Sequence, residues 1–190
     1  MSEIILFLFA YLLGNLLTGQ IIAKSFYRKN LYKEGSGNAG ARNAGRIFGK
    51  SAFVFTFLGD AAKGGIVVLI SRYFDFSPSV QVAALSLVII GHIFPIFFRF
   101  HGGKGMSTFI GGFLVFQPVL FMVFILIFLC FYLLMRSLTM AGMVAVLSYP
   151  IIMTFSIYQL PAIVLCACIS VIVIFAHRQN IKEYLQKKGK

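Results

Sequence analysis

Residues 106–135 read MSTFIGGFLVFQPVLFMVFILIFLCFYLLM, thirty positions without a charged side chain. A helix crosses the hydrocarbon of a bilayer with about 20 residues, so this run is too long for one span and too short for two of ordinary length. Gln117 and Pro118 lie inside it, and proline breaks a helix that precedes it while fitting the first turn of one that follows. The run therefore divides there, into a short first helix and a standard second one.

Other apolar runs lie at about 4–23, 52–71, 79–98, 138–157 and 160–176, which makes seven segments with the divided one. Hydrophobic residues are 59% of the 190 and charged residues 12%, more apolar surface than one water-soluble core of this size can hide. In lipid every backbone N–H and C=O must be paired within the segment or a closed barrel. The runs lack the alternation of strands, so helices are predicted and a β-barrel is excluded. The first run follows Met1, Ser2 and Glu3 with no basic start or cleavage signature, and is expected to stay as a span. No linker or repeat marks a second domain, so residues 1–190 are expected to form a single integral membrane domain.

Charge selects between six spans and seven. With seven, Lys24, Arg28, Lys29, Lys33, Arg42, Arg46 and Lys50 share a side with Arg99, Lys104, Arg136, Arg178, Lys182, Lys187, Lys188 and Lys190, leaving Arg72 opposite and Lys63 embedded. With six, Arg136 and the basic tail change sides and the positive-inside rule is broken. The expected fold is an all-α polytopic bundle of seven transmembrane helices, N-terminus outside and C-terminus cytoplasmic. The net charge of +12 is thus accounted for by topology and attraction to membrane lipid headgroups. No groove-reading motif accompanies it, so no nucleic acid is expected as a partner. Cys130, Cys166 and Cys168 lie in apolar runs and read as small hydrophobic residues.

Polar chemistry collects between the runs. The first connector contains Gly35-Ser36-Gly37-Asn38-Ala39-Gly40-Ala41-Arg42-Asn43-Ala44-Gly45-Arg46. Its G-x-G-x-x-G spacing is not a dinucleotide fingerprint, which needs a βαβ unit around it. The local physics remains: glycines at Gly35, Gly37 and Gly40 let backbone N–H groups approach an anion, Ser36, Asn38 and Asn43 add neutral donors, and Arg46 adds a charged fork. A second connector carries Gly91-His92-Ile93-Phe94-Pro95 and then Gly102-Gly103-Lys104-Gly105. It lacks P-loop spacing, yet a lysine among three glycines before a helix start suits a phosphate. Asp60 and Lys63, at i and i+3, share one face of the second span and are expected to face protein. Arg136 and Ser137 end the fifth span, and His177 to Ile181 close the last.

In order, these pieces resemble the acyl-phosphate-dependent glycerol-3-phosphate acyltransferases, small bacterial membrane enzymes that begin phospholipid synthesis. The likeness covers nearly the whole chain: the GSGNxGxxNxxR pattern ending at Arg46, D-x-x-K-G at Asp60, Lys63 and Gly64, GHxFP at Gly91 to Pro95, GGKG at Gly102 to Gly105, and HRxNI at His177 to Ile181. The resemblance implies attack by the 1-hydroxyl of sn-glycerol 3-phosphate on the carbonyl of a fatty acyl phosphate, at a cytoplasmic-side site in the bacterial inner membrane. Since that donor is already activated, no covalent nucleophile, cofactor or metal is expected. Ser36, Arg46, His92 and Lys104 are then the expected catalytic residues. Gly37, Asn38, Gly40, Asn43, Gly102, Gly103, Gly105, Ser137, His177 and Asn180 are expected to bind substrate, with Asp60 and Lys63 in support. His92 and the substrate's own phosphate are both candidates to accept the hydroxyl proton. Arg42, His101 and Glu183 depart from the family's usual residues. They leave open a diverged paralogue that only binds phosphate-bearing precursors, and a transporter of such compounds is the competing class.

Overall fold

The computed structural model describes residues 1–156 and 158–188; Lys190 of the charge count and Ile157 of the 138–157 run lie outside them. Among the described residues the secondary structure is helical, without strands. Two compact units are present, Met1–Phe116 and Gln117–Lys190.

The first unit holds α1 (Glu3–Gly14), α2 (Thr18–Tyr27), α3 (Ala41–Phe48), α4 (Lys50–Tyr73), α5 (Pro78–Ile93) and α6 (Met106–Phe116). The second holds α7 (Pro118–Met135), α8 (Leu138–Thr154), α9 (Leu160–Ala176) and α10 (Arg178–Lys188). The starts follow local chemistry: Ser77 caps α5 by accepting from the Val80 N–H at 3.4 Å with Pro78 in the first turn, and Pro118 opens α7. The division of the 106–135 run at Gln117 and Pro118 is therefore observed.

By length and composition α4, α7 and Pro78–Phe98 are able to cross a membrane, or five elements if each bent pair counts as one span. Two expected spans differ from simple rods. The 4–23 run is broken: α1 and α2 meet at a 42° bend. Gly14, the last residue of α1, lies with its α-carbon against α5, where a β-carbon would sit 2.3 Å from the Val88 carbonyl oxygen. The helix ends there and Asn15 turns its amide back to the Tyr11 carbonyl at 2.6 Å. The other is α6, the expected short first helix of the divided run, whose 11 residues reach about 16 Å at 1.5 Å per residue, half a hydrocarbon layer.

The short helix has a defined place. Gly64 of α4 touches the Thr108 carbonyl and Gly112, Gly65 faces Val115, and Arg72 donates to the Phe116 carbonyl. Thus α6 runs parallel to the second half of α4, starting near that helix's midpoint and ending with it. Contacts of 2.1 to 2.2 Å predicted for a β-carbon at Gly64 or Gly111 show that only glycine permits this backbone approach.

Candidate active site

The break between α1 and α2 leaves carbonyls and an N–H without helical partners, a serious cost away from water. Two side chains of α4 supply them. Lys63 Nζ donates to the carbonyls of Leu16 at 2.7 Å and Gly14 at 3.3 Å, while Asp60 Oδ1 accepts from the Thr18 N–H at 3.3 Å. The two residues pair with each other at 3.0 Å, and both are buried, Asp60 0% and Lys63 4% exposed. The expected protein-facing acid and base are therefore the joint of a broken helix.

His92, from the end of α5, completes the cluster. Its Nδ1 lies 3.0 Å from Lys63 Nζ and 3.7 Å from Asp60 Oδ1. An ammonium has no lone pair, so Nδ1 accepts from Lys63 and the ring proton of a neutral imidazole resides on Nε2. That edge faces the second glycine-rich connector: a β-carbon on Gly103 would lie 2.0 Å from Nε2. The backbone follows the same line, with Gly103 N–H donating to the His92 carbonyl at 3.0 Å and Gly102 N–H to that of Ile93 at 3.1 Å. His92 is thus the platform beneath the loop, buried at 2% exposure, and Lys104, partly buried, follows directly. Gly105 has φ +79°, which lets the chain turn into α6 with the first-turn amides pointing back at the loop. Gly103→Ala is expected to lower turnover about tenfold by lifting the loop off the ring, and to lower the melting temperature, since forced overpacking costs about 1–3 kcal/mol of stability. Steady-state rates taken well below the variant's melting temperature measure the first effect, and wild-type turnover would show that the close fit is immaterial.

The first connector is organised by Asn43, 3% exposed on α3. Its Oδ1 accepts the Ser36 N–H at 2.9 Å. Its Nδ2 donates to the carbonyls of Glu34 at 2.9 Å and Asn38 at 3.0 Å, with Leu31 at 3.4 Å. These contacts occupy the amide within the loop, so its placement is that of an internal strut. Asn38 Oδ1 accepts from Gly40 N–H at 2.8 Å just before α3. Gly35 and Gly37 have φ +57° and +67°. Ser36 and Arg46 are exposed, and Arg42 and Arg46 lie one turn apart on α3.

Each connector is tied to α4 through one intermediary, Gly19 of α2 for the first and His92 of α5 for the second. A β-carbon on Gly19 would lie 2.2 Å from the Ala39 carbonyl oxygen and 3.1 Å from Thr56, and Lys63, which touches His92, is seven residues farther along. Two turns of helix, about 10 Å, separate the α4 positions, Thr56 and Lys63, that these two intermediaries touch.

The remaining expected positions belong to the second unit. Ser137 caps α8, accepting from Met140 N–H at 3.4 Å. His177 is buried, its Nδ1 2.8 Å from the Val173 carbonyl, so Nδ1 donates. Asn180 lies on α10, whose Tyr184 hydroxyl donates to the Met135 carbonyl at 3.2 Å and so holds that helix at the α7–α8 turn.

Sequence reasoning passed over Gln20 and Tyr32. Gln20, 2% exposed, accepts from Leu31 N–H at 3.0 Å and donates to Asn30 Oδ1 at 2.9 Å; a lone glutamine at the end of an apolar run was its signal. Among the described residues no group of three or more His, Cys, Asp or Glu side chains is placed to hold a metal ion.

The family model for glycerol-3-phosphate acyltransferase matches residues 4–187. Glycerol-3-phosphate acyltransferase 1 of Bacillus cereus is 40% identical over 170 residues, covering 90% of this chain and 93% of that protein. The protein of the same name from Desulfitobacterium hafniense is 34% identical over 189 residues, covering 100% and 94%. Among solved structures, PlsY, an integral membrane glycerol 3-phosphate acyltransferase, is similar in its glycerol 3-phosphate form with TM-score 0.90 and 32% identity, covering 98% of this chain and 94% of that one. Its lysophosphatidic acid form gives TM-score 0.87.

Proposed function

Because the chain belongs to the glycerol-3-phosphate acyltransferase family, we propose that it moves a fatty acyl group from acyl phosphate to the 1-hydroxyl of sn-glycerol 3-phosphate. The ester C–O bond forms as the anhydride C–O bond breaks, giving 1-acyl-glycerol 3-phosphate and inorganic phosphate. The observation that carries this reading is the pair of glycine-rich loops, one against Gly19 of α2 and one on His92 of α5, whose contacts on α4 lie two turns apart, each loop running into a helix start. Two anionic reactants need two such seats, and a mixed anhydride needs no enzyme nucleophile.

In this reading Arg46 and Lys104 neutralise the phosphates, Ser36 and Asn38 add polar partners, and Gly37, Gly40, Gly102, Gly103 and Gly105, without side chains, let the phosphates come close to loops whose shape their own hydrogen bonds hold. As negative charge builds on the carbonyl oxygen, the same fixed donors stabilise it without reorganising. His92, its Nδ1 taken by Lys63, positions the second loop, so the hydroxyl proton passes to the phosphate. Asn43 holds the first loop in shape, and Asp60 with Lys63 holds the helix joint under both. Ser137, His177 and Asn180 of the second unit are proposed substrate-binding positions.

We read residues 1–190 as one acyltransferase domain crossing the bacterial inner membrane seven times, N-terminus outside, with the site open to the cytoplasm. Supporting this are the one-sided distribution of basic residues and the course of α6, which continues to the far end of α4 and thus counts as a crossing although it begins midway.

The test is lipid product analysis with acyl phosphate, acyl-CoA and acyl carrier protein donors offered separately to purified protein. Acylated glycerol 3-phosphate and equimolar phosphate are expected with the first donor only. Product from a thioester alone would overturn the donor, and flux across sealed vesicles without product would replace catalysis by transport.

A further inference from the structure

We propose that Tyr32 is a positioning residue: its side chain latches the two glycine-rich loops together and sets the separation at which their reactants meet. Tyr32 lies in a 3-10 turn, Leu31–Lys33, immediately before the first loop. Its hydroxyl donates to the His101 carbonyl at 2.5 Å, and its ring packs beside Phe98 at 6.0 Å between centroids.

Both ends of the latch are stiff. On the first loop, Asn43 holds the carbonyls of the flanking Leu31 and Glu34, and a β-carbon on Gly37 would stand 3.2 Å from the Tyr32 carbonyl oxygen. On the second, Arg99 and Phe100 both adopt left-handed backbone, φ 51° and 60°, a conformation unfavourable for such residues unless neighbours enforce it. His101 N–H donates to the Phe98 carbonyl at 3.0 Å, and the next two residues are fixed to Ile93 and His92. A hydrogen bond between two rigid segments defines a distance, whereas one between floppy segments would not. Burial pushes the Tyr32 phenol up to about 12 from 10.0. The donated proton therefore survives alkaline pH and is lost only as pH rises toward about 12.

This inference rests on the proposed two-reactant reading of the loops. Each loop keeps its own internal hydrogen bonds without the latch, so each reactant still binds, while their mutual alignment suffers. Small misplacement of reacting groups can cost up to about a hundredfold. Tyr32→Phe, which retains the ring against Phe98, is expected to lower kcat about tenfold, with KM for each reactant and melting temperature unchanged. Tyr27→Phe is the control, since the Tyr27 hydroxyl donates to the Phe48 carbonyl at 3.4 Å away from the second loop, and is expected to match wild type. Wild-type kcat in Tyr32→Phe would overturn the latch, as would a kcat loss matched by a lower melting temperature, which assigns the residue to folding. Absence of acyl transfer by the wild-type protein would instead overturn the functional reading.

Discussion

Lys104→Ala is expected to reduce turnover by about 10²–10³, the range seen when one fixed donor to a developing anion is removed, with Arg46→Ala falling in the same range. The two changes test different loops. Lys104 sits between Gly103, packed on the His92 ring, and Gly105, whose left-handed backbone starts α6. Its ammonium is therefore carried by a segment with little freedom. Arg46 is exposed on α3, one turn past the Asn43 strut. Lys104→Arg keeps the charge yet brings a larger planar group into a tight loop, and is expected to recover only part of the rate. Steady-state kinetics with acyl phosphate and glycerol 3-phosphate measure all three, and wild-type turnover in both alanine variants would remove the proposed site.

The second large effect concerns folding. Lys63→Met removes the donor to two orphaned carbonyls and to His92, and leaves Asp60 as an unpaired buried carboxylate. Breaking one side of a buried ion pair costs about 3–5 kcal/mol. Thermal unfolding in detergent is expected to show a large drop in melting temperature. The double variant Asp60→Asn with Lys63→Met, which strands no charge, is expected to recover part of it. A single variant melting like wild type would mean that the α1–α2 joint does not depend on this lysine.

Much of the fold was legible because lipid demands long uniform runs, and Gln117 with Pro118 announced a helix boundary in purely local terms. The break after Gly14 was not legible. Gly14-Asn15-Leu16-Leu17-Thr18 is apolar enough to continue a span, and its stabilising partners, Asp60 and Lys63, lie more than forty positions on. The shortness of α6 followed from the same Gln117-Pro118 boundary, whereas its alignment with the second half of α4 was hidden, since that depends on glycine contacts at Gly64 and Gly111. In the candidate site, residue types pointed to anion chemistry, but Asn43 offered the same donors on paper as Asn38. Only the surrounding carbonyls show that its amide is occupied in shaping the loop.

The late start of α6 bears on how a greasy reactant is handled. Since the glycine loop before that helix lies level with the middle of α4, the proposed reaction would bring the carbonyl well below the cytoplasmic end of that helix rather than level with it. Raising an acyl chain to the surface would expose its upper methylenes to water at about 0.8 kcal/mol each. On the proposed function, a floor recessed in this way would let the tail stay in oil while the small, water-borne alcohol makes the journey.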